Sequence, residues 1–119
     1  MIDHLGLEVS DLARSARFYD AIFYALGVRR LHANEHVIGW GSDEPRFWLT
    51  ARHAPAPAYG HVAFKAAGKA AVDAAHAAGL SAGGTDDGAP GPRPQYGPRY
   101  YAAYLRDPDG LRVEVVASG

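Results

Sequence analysis

The 119-residue sequence contains no cysteine. That absence excludes a disulfide framework, a thiolate metal site, an iron–sulfur cluster and a cysteine nucleophile, so any metal would have to be held by His, Asp or Glu. An excess of charge of one sign is also missing: 12 Lys and Arg stand against 13 Asp and Glu, for a formal net charge of −1. Binding to nucleic acid or to an anionic membrane through bulk charge is therefore not expected. No apolar run approaches the ~20 residues that a membrane-spanning helix needs. The first residues also lack a basic stretch followed by an apolar one, so the expectation is a soluble cytoplasmic protein. What is present, 48% hydrophobic and 21% charged residues, is ordinary globular usage and fits one domain over residues 1–119.

Hydrophobic periodicity divides that domain into two similar halves. In residues 2–10, Leu5, Leu7 and Val9 alternate with His4, Gly6 and Glu8, the period of a strand with one face on a core. Ser10 or Asp11 can cap a helix over 12–26, in which Ala16, Tyr19, Ile22, Phe23 and Leu26 recur at helical spacing before Gly27. Short runs at 28–31, 37–40 and 46–50 read as three strands of a meander. After a stiff linker at 54–57 containing Pro55 and Pro57, the order begins again. A strand is expected at 60–65, an Ala-rich helix over 69–78 closed by Gly79, and a strand at 80–82. Glycine and proline crowd residues 83–98, which suggests a long loop, and loops of that length in small domains are usually functional. Strands at 100–106 and 111–117 flank a turn of Asp107, Pro108, Asp109 and Gly110. The reading is an α+β chain of two βαβββ modules, about 1–54 and about 60–119.

Alternation also assigns faces. If Leu5, Leu7 and Val9 pack under the first helix, and Val62 and Phe64 under the second, then His4 and His61 point to the opposite, concave face. In the last strand Leu111, Val113 and Val115 form the helix-facing row, leaving Arg112, Glu114 and Val116 on the concave side. In the first module the same rule turns Trp48 inward at the place that Glu114 holds in the second. Taken singly, each of these residues is ordinarily structural. Two imidazoles and one carboxylate, His4, His61 and Glu114, on one face make a set suited to a divalent first-row metal with open positions.

These residues resemble the vicinal oxygen chelate superfamily, also called glyoxalase/bleomycin resistance/dioxygenase. The likeness runs over essentially the whole chain: residues 2–11 with His4, residues 15–20, Leu26 with Gly27, residues 60–64 with His61, and residues 107–114 ending in Glu114. The resemblance implies a half-open mixed β barrel with helices on its convex face and a metal inside. By resemblance His4, His61 and Glu114 match three ligand positions, while the fourth, a Glu in glyoxalase I, falls at Trp48. The three-ligand pattern looks more like extradiol dioxygenases and fosfomycin-resistance transferases. It implies a metal-dependent lyase, isomerase or dioxygenase-like enzyme using Fe, Mn, Zn or Ni on a vicinally oxygenated substrate, with Glu114 in the catalytic role, and a homodimer. The alternative implied by the same superfamily is a metal-free protein that sequesters a small ligand, as bleomycin-resistance proteins do.

Further pocket residues are expected from the long loop and the strand after it: Arg93, Tyr96, Arg99, Tyr100 and Tyr101 as a lid on an anionic or vicinally oxygenated substrate, with Trp48 stacking on it. His32, His36, His53 and His76 are read as structural or surface residues, Glu8 as a neighbour of His4, and either Tyr104 or Leu105 as facing inward.

Overall fold

Alternating Leu5, Leu7 and Val9 form strand β1 (Leu5–Val9). Asp11 then caps helix α1 (Leu12–Ala25), its carboxylate accepting the Arg14 amide N–H at 3.1 Å. The computed structural model describes residues 2–51 and 61–118. It continues with β2 (Arg29–Ala33), β3 (Val37–Gly41) and β4 (Phe47–Ala51). The second module follows as β5 (His61–Lys65), α2 (Lys69–Ser81), β6 (Thr85–Pro92), β7 (Tyr101–Arg106) and β8 (Arg112–Ala117). The expected linker at 54–57, with His53 and Gly60, lies outside the described residues.

Each module is one helix on one mixed four-stranded sheet, in the orders β1-β4-β3-β2 and β5-β8-β7-β6. β1 pairs parallel with β4 and β5 with β8, and the other neighbours are antiparallel. The α+β architecture of two βαβββ modules expected from the sequence is thus present.

The helix-facing rows include the predicted Val9, Phe47 and Leu49 in one sheet and Val113 and Val115 in the other, with Leu105 beside them, all buried. They join one continuous core through the two helices. Phe64 of the second module enters the aromatic cluster of the first, edge-to-face with Phe23 at 4.9 Å and Phe47 at 5.2 Å between ring centres. Such pairs contribute about 0.5–1.5 kcal/mol each beyond area burial. A polar clasp joins the modules as well. The Tyr19 hydroxyl donates to Asp107 Oδ2 at 2.8 Å, and the Ser10 amide (3.0 Å), its hydroxyl and the Arg14 guanidinium (3.2 Å) donate to Asp109.

Two expectations are corrected. Residues 80–82 are not a strand: α2 runs to Ser81, and Gly79 lies inside it rather than ending it. A Cβ at Gly79 would stand 3.2 Å from Ile22 of α1, so the glycine is there for close helix approach, while the left-handed turn falls at Gly83 (φ 102°). Residues 83–98 are not one long loop: β6, over Thr85–Pro92, takes up half of them and pairs with β7. Proline is tolerated because β6 is an edge strand, whose outward N–H groups need no partner, and the ladder is broken by bulges around Gly88. Gly88 (φ 155°) passes over Tyr104, where a Cβ would come within 2.9 Å of the ring.

Candidate functional site

Since Val113 and Val115 face the helices, the next residues on β8, Arg112 and Glu114, face the other side of the sheet together with His61 of β5 and Tyr104 of β7. With Tyr96 and Tyr100 these residues line a cleft of about 220 Å³. Glu114 is only 3% exposed. A buried carboxylate is costly unless it is held, and here the Tyr100 hydroxyl donates to Glu114 Oε2 at 2.5 Å while Oε1 lies 3.4 Å from His61 Nε2. The same hydrogen bond, reinforced by partial burial, pushes the Tyr100 hydroxyl up to a pKa of about 12, so it stays a proton donor at neutral pH. Tyr104 is raised as well, by burial first and then by the Glu114 charge.

The structure brings His61, Glu114, Tyr96 and Tyr100 into this cleft. Arg93 reaches its edge, with its guanidinium 5.6 Å from the centre of the Tyr104 ring. His4 is elsewhere. Its Nδ1 lies 2.9 Å from Asp3 Oδ1, and its exposed ring borders a separate, mainly apolar cleft of about 490 Å³ walled by Phe23, Trp40, Phe47 and Phe64. Trp48 lies on the face of the first sheet away from the core residues Phe47 and Leu49, over Gly39 and 5.7 Å from His32 between ring centres. Arg99 sits in a surface recess with Gly68, Lys69 and Pro98. Tyr101 faces α2, donating to Asp73 at 2.6 Å beneath the Lys69 ammonium.

Strand register aligns the two modules. Glu114 stands opposite Ala63, two residues after His61, and Trp48 stands opposite Gly6, two residues after His4. Trp48 therefore occupies the first-module counterpart of Glu114. Two cleft residues, Arg112 and Tyr104, received no role from sequence. The alternation that singled out Glu114 already placed Arg112 beside it, and Tyr104 is settled as the inward residue by the burial of Leu105 in the core. Of the remaining histidines, His76 is buried in α2 and pairs with Asp86 at 2.9 Å.

His61 and Glu114 supply an imidazole nitrogen and a carboxylate oxygen close enough to share one divalent ion. Among the described residues no group of three or more His, Asp or Glu side chains could hold a metal. The donor chemistry fits a metal, and one chain's cleft provides two of the donors.

No curated protein matches the chain. Among solved structures it is similar to a glyoxalase/bleomycin resistance protein from Albidiferax ferrireducens, at 35% identity and TM-score 0.86 over 96% of both chains. A glyoxalase I mutant from Zea mays matches at 27% identity and TM-score 0.74, over 97% of this chain and 45% of that one. The fosfomycin resistance protein FosX from Mesorhizobium loti shares the fold, at 20% identity and TM-score 0.73 over 100% and 92% of the two chains. With a family model matching residues 1–115 as well, the chain belongs to the glyoxalase/bleomycin resistance protein/dioxygenase superfamily.

Proposed function

We propose that the protein is a divalent-metal-dependent enzyme acting on a small vicinally oxygenated substrate, as a glyoxalase- or dioxygenase-like lyase, isomerase or oxygenase. The observation that carries this reading is His61 Nε2 at 3.4 Å from the buried Glu114 Oε1. His61 and Glu114 would hold the ion, and His4 of the partner subunit would add the third donor in a homodimer, since His4 of the same chain borders a different cleft. Among the described residues β1 and β5 each end their sheet, and an edge strand is where a partner could pair. Held by these residues, a divalent ion would supply Lewis-acid chemistry to an oxygenated substrate.

The chain's own residues do the rest. Tyr100 orients Glu114, the group placed in the catalytic role, and keeps its own proton while doing so. Tyr96 and Tyr104 wall the cleft with aromatic surface. The likeness to glyoxalase I and to a fosfomycin resistance protein supports the class. A second reading, a metal-free protein that sequesters a small ligand, draws on the lack of a three-donor group among the described residues.

Elemental analysis of untagged protein after exposure to Fe(II), Mn(II), Zn(II) or Ni(II) separates the two. About one ion per subunit is expected, lost in His61→Ala, Glu114→Ala and His4→Ala, with a dimer by analytical ultracentrifugation. Retention in His4→Ala would remove the shared-site arrangement. No ion under any loading would leave the sequestering reading.

A further inference from the structure

The cleft contains more positive charge than its carboxylates balance. Arg112 stacks on the Tyr104 ring with its guanidinium carbon 4.0 Å from the ring centre, and Arg93 lies 5.6 Å from the same centre. The two cations are thus within about one Debye length at 0.1 M salt, ~10 Å, and repel each other. Besides the buried Glu114, which Tyr100 and His61 hold, the nearby carboxylate is Asp87, and two guanidiniums share it: Arg112 Nε at 2.8 Å and Arg106 Nε at 3.2 Å. The hydrogen bonds that Arg93 donates among the described residues go to backbone carbonyls, Ala89 O at 2.8 Å and Pro92 O at 3.4 Å.

Arg112 is also fixed in place. Asp87 holds its Nε, Tyr104 supports its plane, and its backbone stands opposite His61 in the sheet. Neither of its terminal Nη groups has a hydrogen-bond partner among the described residues. A held guanidinium with two parallel free donors is the geometry that binds an oxyanion in two-point fashion. Arg112 and Glu114 are two residues apart on one strand face, about 7 Å, so one small molecule can reach both.

We propose that Arg112, with Arg93 and the Tyr104 ring, forms an oxyanion subsite, so that the substrate carries a carboxylate or phosphonate-type group beside its vicinal oxygens. The assignment rests on this cleft being the substrate site proposed above, but the subsite belongs to the protein without metal.

The test is a titration of the full-length, metal-free protein with phenylphosphonate and with benzoate, following the arginine Nε–Hε signals by NMR, with sodium chloride at matched ionic strength as the control. Saturable shifts of the Arg112 and Arg93 signals are expected with at least one probe and not with chloride. Affinity should fall at least about tenfold in Arg112→Gln and less in Arg93→Gln. Arg112→Lys keeps the charge but not the two-point fork and should fall between wild type and Arg112→Gln. Binding should survive in Glu114→Gln, which separates the subsite from the metal reading, and the preferred probe identifies the oxyanion. Shifts reproduced by chloride, or binding that needs added metal and is indifferent to Arg112→Gln, would overturn the assignment.

Discussion

Glu114 keeps a carboxylate almost out of water, with a tyrosine hydroxyl on one oxygen and an imidazole near the other. Tyr100→Phe removes the donor without removing the aromatic ring, so the carboxylate loses the bond that fixes its rotation. Loss of such an orienting hydrogen bond typically weakens metal binding about 10- to 100-fold. Competition titration with Mn(II) should show that drop while the thermal unfolding midpoint changes little; undiminished affinity would mean that the sheet alone orients Glu114. At this scale much was legible. Strand alternation found His61 and Glu114 on one face because a period of two depends only on local pleat and burial. It could not say whether His4 joins them within one chain or from a second one, because which edges meet depends on how modules and chains pair; within one chain His4 borders a different cleft. Tyr101 was assigned to the pocket by its neighbourhood to Tyr100, yet adjacent strand residues face opposite sides, and its hydroxyl is on Asp73.

Among the elements, α2 shows how a glycine can be misread. A glycine after an Ala-rich run signals a helix end when only propensity is considered. Gly79 instead lies where α1 crosses α2, with Ile22 and Leu105 packed over the missing side chain. Gly79→Val would drive two methyl groups into that contact and should destabilise the fold by about 1–3 kcal/mol. Urea unfolding monitored by circular dichroism measures it, and a change in unfolding free energy of either sign below a few tenths of a kcal/mol would show that the helices separate without cost. β6 was hidden for a related reason. Its composition is that of a loop, and only the edge position, where half of the N–H groups need no partner, allows Pro90 and Pro92 into a strand. Edge position is a property of the assembled sheet and is absent from the local sequence.

At the scale of the whole molecule, a polar clasp joins the two halves beside their shared apolar core. Tyr19 of the first module donates to the buried Asp107 of the second, which also accepts the backbone N–H groups of Asp109 and Leu111 at 2.9 and 2.8 Å. Burial raises the Asp107 carboxyl above its ordinary 3.8, and the nearby Asp109 charge adds to the rise, although the three hydrogen bonds pull the other way. The folded state therefore binds this proton more tightly than the unfolded chain. Where the native state holds more protons, stability falls as pH rises. The contribution of Asp107 is most favourable below about pH 4, decreases as pH climbs through the raised value, and is constant above it. Asp107→Asn removes the titration but keeps an oxygen to accept the two backbone N–H groups. Urea unfolding of both proteins from pH 3 to pH 7 should show the variant gaining on wild type as pH rises through that window, whatever their absolute difference. A parallel pair of stability curves would mean that Asp107 titrates alike in the folded and unfolded chain, and that the clasp holds the modules together without a charge-desolvation cost.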